Sequence, residues 1–270
     1  MRQWHLIYDT PTDGIYNMAV DESILTSVQM GEAPPTLRLY AWSPPYLSLG
    51  YGQPVSDVDL ERLDTLGWGL VRRMTGGRAI LHTDELTYSL SLPANDDIAA
   101  GGVIESYRRI SKALLAGLEN LGLQSQADKK ADDVKLTGAV CFESPSHYEI
   151  TTSGGRKLIG SAQMRRKDGL LQHGTLPLWG DVARICDVLA YPDEDSRDNA
   201  KANVRMRAAT LADALGEPVD WQTAAEAFVQ GFSDTFEVDF TIVDLTAAQR
   251  INAMQLAADV YRTDAWNKRL

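Results

Sequence analysis

The chain has 270 residues, of which 44% are hydrophobic and 23% charged, with a formal net charge of −11. That length can bury a substantial core, while the acidic balance argues against a nucleic-acid partner, whose phosphates call for a basic surface. No apolar run approaches the roughly 18 residues of a membrane helix, and two cysteines, Cys141 and Cys186, give no disulfide framework.

The N-terminal stretch MRQWHLIYDTPTDG lacks the apolar core of a signal peptide, so the expected home is the cytoplasm. Ile15 to Met30 reads as an amphipathic helix on the spacing of Ile15, Met18, Ala19, Glu22, Leu25 and Val28. Thr36 to Trp42 alternates as a strand that Pro44 and Pro45 end, and Tyr46 to Gly50 reads as its return strand. Ser56 to Leu66 is a short helix with Ser56 as its N-cap. Gly69 to Val71 and Leu86 to Leu92 are strands on either side of a Gly-Gly loop, and Val103 to Leu121 is a helix that Gly122 closes.

Tyr148 to Thr152, Lys157 to Ala162 and Leu170 to Leu178 are strands, with a hairpin turn at Gly154-Gly155. Helices follow at roughly 181–189, 205–215, 221–235 and 246–260, and the polar stretch Pro192 to Asn203 reads as a surface loop. Grouped strands with helices between them predict an α+β fold in one catalytic domain over 1–270, with its core at about 30–245 and a helical C-terminal part.

The most informative run is Arg72-Arg73-Met74-Thr75-Gly76-Gly77-Arg78-Ala79-Ile80-Leu81-His82. Paired glycines between strands let a ligand approach the main chain, although such pairs are often mere turns. Cys141 lies in the loop Gly138-Ala-Val-Cys-Phe-Glu-Ser-Pro-Ser146, a setting for a reactive thiol as well as for a small buried hydrophobe. Lys157 stands among small and apolar residues, where its ammonium would favour a nearby thiolate. Cys186 and His173 read as structural. No His/Cys/Asp cluster has metal-ligand spacing, and the Gly-x-Ser-x-Gly elbow of a serine hydrolase is missing. The cations Arg72, Arg73, Arg78, Arg156, Lys157 and Arg165 concentrate in these motifs, which favours an acidic or phosphorylated carrier as partner.

The stretches RRMTGGRAILHTDELTYS and GAVCFESPSHYEITTSGGRKLIGSAQMRRKDGLLQHG, with MAVDESIL near the start and AWN near the end, resemble the superfamily of biotin ligases, lipoate ligases and octanoyltransferases. Within it the chain is most similar to the cysteine-bearing octanoyltransferases. That resemblance implies a mostly antiparallel or mixed sheet flanked by helices. It also implies that Cys141 carries an acyl thioester and that Lys157 serves the acyl site. Arg73, Gly76, Gly77, Arg78, Ala79 and His82, with Gly160, Ser161 and Ala162, would bind substrate. Arg78 stands where lipoate ligases tend to carry a third glycine, and those ligases do without the cysteine. The implied donor is octanoyl on the phosphopantetheine arm of acyl carrier protein. The acceptor is a lysine of a lipoyl domain or a glycine-cleavage carrier, with no metal, no ATP and a monomeric enzyme. The rival readings are an ATP-dependent lipoate ligase, an amidotransferase between lipoyl domains, and a carrier-binding module without chemistry.

Overall fold

A computed structural model describes residues 1–128 and 149–270; Cys141 and the predicted start of a strand at Tyr148 lie outside the described residues. The strands are β1 (Arg2–Tyr8), β2 (Thr36–Tyr40), β3 (Tyr46–Leu49), β4 (Gly69–Arg72), β5 (Ile80–His82), β6 (Glu85–Pro93), β7 (Ser125–Asp128), β8 (Glu149–Thr152), β9 (Lys157–Arg166), β10 (Gly169–Pro177) and β11 (Val238–Ile242). The helices are α1 (Gly14–Gln29), α2 (Leu60–Thr65), α3 (Val103–Asn120), α4 (Glu194–Arg207), α5 (Leu211–Leu215), α6 (Trp221–Phe236), α7 (Ala247–Leu256) and α8 (Asp264–Asn267). Eight strands form one mixed sheet in the order β11-β1-β2-β6-β10-β9-β8-β7, and β4-β3-β5 form a smaller second sheet. This is the expected class, a mixed sheet flanked by helices.

The period-two pattern of β6 sorts its two faces. Leu86, Tyr88, Leu90 and Leu92 join the core beneath α3 and α6, together with Phe228 and Phe232. Thr87, Ser89 and Ser91 are buried on the opposite face, where such small side chains leave room for a closely packed helix. On the α1 side, Met18, Ile24 and Leu25 pack with Tyr40, Trp42, Val71 and Met74. The second sheet lies partly in this α1-side layer and backs onto a third cluster containing Leu47, Leu49, Ala79 and Cys186.

Several elements depart from the sequence reading. Tyr46–Leu49 is not the return strand of β2: β3 pairs parallel with β4 and antiparallel with β5. Tyr46 faces one core while Leu47 and Leu49 face another, so both sides of this strand are buried and local alternation does not identify its partner. Ser56 caps nothing; Val58 bridges to Leu189 in extended conformation, and α2 starts late, with Asp59 accepting from the Arg62 amide. The stretch expected as a surface loop at 192–203 is mostly α4, capped by Asp193, with Glu194 and Asp195 in its first turn and Arg205 and Arg207 in its last. That charge order suits the helix dipole. The single helix expected at 205–215 is broken, because Ala208 is extended, bridges to Lys157, and is followed by an Ala209 amide that donates to the Lys157 carbonyl at 2.9 Å. The C-terminal part also contributes a strand, β11, parallel to β1.

The last residues fasten the second sheet. The buried guanidinium of Arg72 donates to the carbonyls of Gly50 (2.9 Å), Gln53 (2.5 Å), Trp266 (3.1 Å) and Asn267 (2.8 Å). Asn267 Oδ1 accepts the Arg72 amide at 2.7 Å, and Trp266 Nε1 donates to the Arg72 carbonyl at 2.9 Å. Hydrogen bonds to charged groups contribute about 1.5–3 kcal/mol each, and stranded buried acceptors cost about 1–3 kcal/mol. Arg72→Ala is therefore expected to lower unfolding stability by roughly 3 kcal/mol or more, read from urea titration. A change below about 1 kcal/mol would show that the latch contributes little.

Candidate active site

β4 and β5 both border β3, so the segment between them, Arg73 to Ala79, must arch over the end of that strand. Gly77 has φ +94°, a left-handed conformation that glycine adopts at little cost. Gly50 passes so close beneath that a Cβ there would lie 2.0 Å from the Gly77 carbonyl oxygen. The arch closes around Arg73, whose guanidinium donates to the carbonyls of Ser48 (2.8 Å), Gly76 (3.2 Å) and Arg78 (3.0 Å). Its interior is thus charged yet hydrogen-bonded, and its shape is set before any ligand arrives.

Two imidazoles connect this arch to the layers around it. His173 Nδ1 lies 3.2 Å from Asp21 Oδ2, and its Nε2 lies 2.7 Å from Thr75 Oγ1. His82 Nδ1 lies 2.6 Å from Glu85 Oε1, and its Nε2 lies 2.7 Å from Ser48 Oγ. At His173 the carboxylate assigns the proton to Nδ1, leaving Nε2 to accept from the Thr75 hydroxyl. His82 also stacks on Trp42, with ring centroids 3.8 Å apart. Asp21 in turn accepts from Tyr40 Oη (2.9 Å) and from Arg38 Nη1 (2.8 Å). Burial alone would raise the Asp21 carboxyl, but hydrogen bonding and charge from His173 and Arg38 hold it below the usual carboxylate range. Burial lowers His173, and Asp21 opposes that shift without reversing it, so this imidazole is neutral at pH 7.

Between the arch and the sheet is a narrow cavity of about 20 Å³, walled by Met18, Tyr40, Trp42, Ile80, His82 and His173. Arg73, Thr87, Gly160, Ala162, Gly174 and Thr175 complete the lining. The hydroxyl, indole and imidazole groups of Tyr40, Trp42, Thr87, His82 and His173 are all hydrogen-bonded to protein. A wall of this kind presents ring faces and alkyl groups to its contents. A second cleft beside Trp179 is lined by Asp84, Asp181 and Arg184, and its arginine is paired with Asp84 at 2.5 Å.

Of the residues singled out in the sequence, Arg73, His82, Gly160 and Ala162 line the cavity. Gly76, Gly77 and Arg78 form the arch beside it. Ala79 is buried in the cluster of Leu47 and Leu49, away from the cavity wall. Ser161 points to the opposite face of the sheet, 2.7 Å from the Tyr88 hydroxyl. Lys157 opens β9 three residues before Gly160; it is 3% exposed, and its carbonyl is tied to Ala209. Arg165 is on the α3 face, donating to the carbonyls of Ala99 (2.6 Å) and Gly102 (3.0 Å), and is not part of the cavity mouth. Arg166 is paired with Glu22 at 2.7 Å. Sequence reasoning passed over Asp21, Trp42, Glu85 and Thr175. An acid in the middle of the apolar run Met18 to Leu25 was a usable signal for the first.

Residues 13–233 match the family model of the lipoyl protein ligase A/B catalytic domain. Octanoyltransferase LipM of Kyrpidia tusciae is 40% identical over 275 residues, covering 100% of both chains. Octanoyltransferase LipM of Moorella thermoacetica is 41% identical, with 98% of each chain covered. Among solved structures, a bipartite lipoate protein ligase from Thermoplasma acidophilum superposes with a TM-score of 0.84 at 26% identity, covering 99% of this chain and 97% of that one. Lipoate-protein ligase A bound with ATP gives 0.80 at 26% identity, with 99% of each chain covered.

The His173–Asp21 pair has a signed pH consequence. A histidine whose folded pKa is depressed binds fewer protons folded than unfolded once the pH falls below its ordinary value of about 6.5. Stability therefore falls with acidification from that point, by at most about 1.4 kcal/mol per pH unit for this one group. Asp21, also depressed, adds its own loss only as the pH falls below the ordinary aspartate value of about 3.9. His173→Gln is expected to flatten the decline in urea-unfolding free energy between pH 6.5 and 5. An unchanged slope would remove His173 as its source.

Proposed function

The chain belongs to the lipoyl protein ligase A/B catalytic family, and from that membership we propose an octanoyl transfer that runs through a thioester on Cys141. The protein is an octanoyltransferase of lipoate biosynthesis and acts on lipoyl-domain acceptors, in line with relatives of that name at about 40% identity over their full length. The structural observation that carries the reading is the chemistry of the narrow cavity's walls: their polar groups are largely satisfied within the protein, so the walls, once parted, suit an aliphatic chain better than a polar ligand. Burying seven carbons beyond the carbonyl is worth about 0.8 kcal/mol each, or roughly 5–6 kcal/mol in all.

In the proposed first step, the Cys141 thiolate attacks the carbonyl carbon of octanoyl on the phosphopantetheine arm of acyl carrier protein. A carbon–sulfur bond to Cys141 forms, the bond to the arm breaks, and the released thiolate takes up a proton. In the second step the neutral ε-amine of an acceptor lysine attacks the new thioester. A carbon–nitrogen bond forms, Cys141 leaves as thiolate, and the amine gives up a proton. Lys157 favours the Cys141 thiolate through its charge and is suited to relay these protons, since burial makes a lysine easier to deprotonate. The acyl group arrives activated, so this route needs neither ATP nor a metal. Turn-taking of the two carrier proteins at one site follows from the covalent intermediate.

Mixing the enzyme with octanoyl-acyl carrier protein, without ATP, is expected to add one octanoyl group by intact mass, removable by hydroxylamine. Cys141→Ala should abolish the adduct. Cys186→Ala should keep it, because Cys186 is fully buried in the third cluster. Lys157→Ala should slow transfer by roughly 10²-fold or more. An adduct that survives Cys141→Ala, or that requires ATP and free octanoate, would replace this mechanism with another.

A further inference from the structure

Thr175 stands apart among the hydroxyl-bearing residues that line the cavity. The Tyr40 hydroxyl donates to Asp21, and the Thr87 hydroxyl accepts from Trp42 and donates to Glu85. Thr175 is only 1% exposed, yet its Oγ1 has no hydrogen-bond partner among the described residues. A buried hydroxyl left unpaired costs about 1–3 kcal/mol, so a group kept in that state calls for an explanation. Its position supplies one. On β10, Thr175 is registered against Gly160 of β9 and Thr87 of β6. His173, two residues earlier, is opposite Ala162. Thr175 is therefore the wall residue of β10 nearest in register to Lys157, at the end of the cavity closest to the proposed chemistry.

An octanoyl thioester offers a single strong hydrogen-bonding atom, its carbonyl oxygen; the rest of the chain is hydrocarbon. We infer that the Thr175 hydroxyl donates to that oxygen, which makes Thr175 a catalytic residue of the acyl site. The inference rests on the octanoyl-transfer reading. When a nucleophile adds to the carbonyl carbon, the oxygen becomes an alkoxide and the hydrogen bond strengthens. When the leaving sulfur departs, the carbonyl re-forms and the bond relaxes. The proton stays on Thr175 throughout. The donor is fixed by strand pairing on both sides, so little reorganisation accompanies the charge.

The test compares wild type, Thr175→Val and Thr175→Ser in steady-state octanoyl transfer and in urea unfolding without substrate. Thr175→Val is expected to lower kcat by roughly 10²-fold, on the scale of losing one oxyanion donor, with KM changed less than about threefold. Thr175→Ser should stay within about tenfold of wild type, because it keeps the donor. The unliganded Thr175→Val protein should unfold at an equal or higher urea concentration, because it loses an unpaired polar group; a purely structural threonine would shift the midpoint downward. A wild-type rate in Thr175→Val overturns the inference, as does a valine variant that unfolds early or fails to fold. If wild type itself transfers no octanoyl, the functional reading falls and takes this inference with it. If wild type works and the valine variant works equally well, only the inference falls.

Discussion

The buried charge of Arg38 is the constraint on which the rest of the site depends. Its side chain is 1% exposed, and its donors go to Asp9 (2.9 Å), the Asn17 side chain (2.7 Å) and Asp21 (2.8 Å), while its guanidinium lies 3.9 Å from the Tyr40 ring centroid. A desolvated arginine without such partners would be prohibitive, and breaking a buried pair commonly costs 3–5 kcal/mol. Arg38 is on β2, while Asn17 and Asp21 are a turn apart on α1. The pairing thus fixes both the rotation and the height of α1 against the large sheet. From Asp21 the same order passes to Tyr40 and His173, two walls of the cavity, and through His173 to Thr75 at the start of the Gly-Gly arch.

This arrangement explains how a cavity suited to hydrocarbon can be built from side chains as polar as histidine and tyrosine. Each polar tip is turned away from the cavity into a carboxylate or hydroxyl, which leaves ring surface facing inward. His82 does this through Glu85 and Ser48 while it stacks on Trp42. The cost of desolvating these groups is met once, on folding, and under the proposed function an acyl chain would meet walls whose polar groups are already satisfied. The C-terminal latch acts on the same arch from its other side, because Arg72 ties Gly50 and Gln53 to the final short helix, and Gly50 supports Gly77. Residues far apart in sequence therefore determine one loop.

Local periodicity made α3, α6 and the β9–β10 pair legible in the sequence, because each has one face in a core and a turn or cap at its end; α1 was legible too, although most of its circumference is buried. Pairing over long distances was not legible. β11 adds to β1 in parallel, and β3 enters a different sheet from β2 although only a few residues separate them. The reading of 192–203 as a loop gave weight to its polarity and too little to the Asp193 cap and the acid-to-base order that follows it. Around the cavity, the glycines, Arg73 and His82 were visible because unusual residue types clustered within a short motif. Trp42, Glu85 and Thr175 were not, since each is an ordinary residue in or beside a strand whose meaning comes from what lies across the sheet. The octanoyltransferase resemblance carried the functional reading further than composition or spacing could, and the family comparisons agree with it.

In the proposed mechanism, an octanoyl group attached to Cys141 enters the cavity between the arch and the sheet. A crystal structure of the enzyme trapped as its octanoyl adduct, prepared with Lys157→Ala to slow turnover, tests it most directly. The account expects continuous density from the Cys141 sulfur into the cavity. The carbonyl oxygen should lie within hydrogen-bond distance of Thr175 Oγ1, and the chain should end against Met18, Tyr40 and His173. Density for the acyl group on another side chain, or on Cys141 but outside the cavity walled by Trp42 and His173, would contradict it.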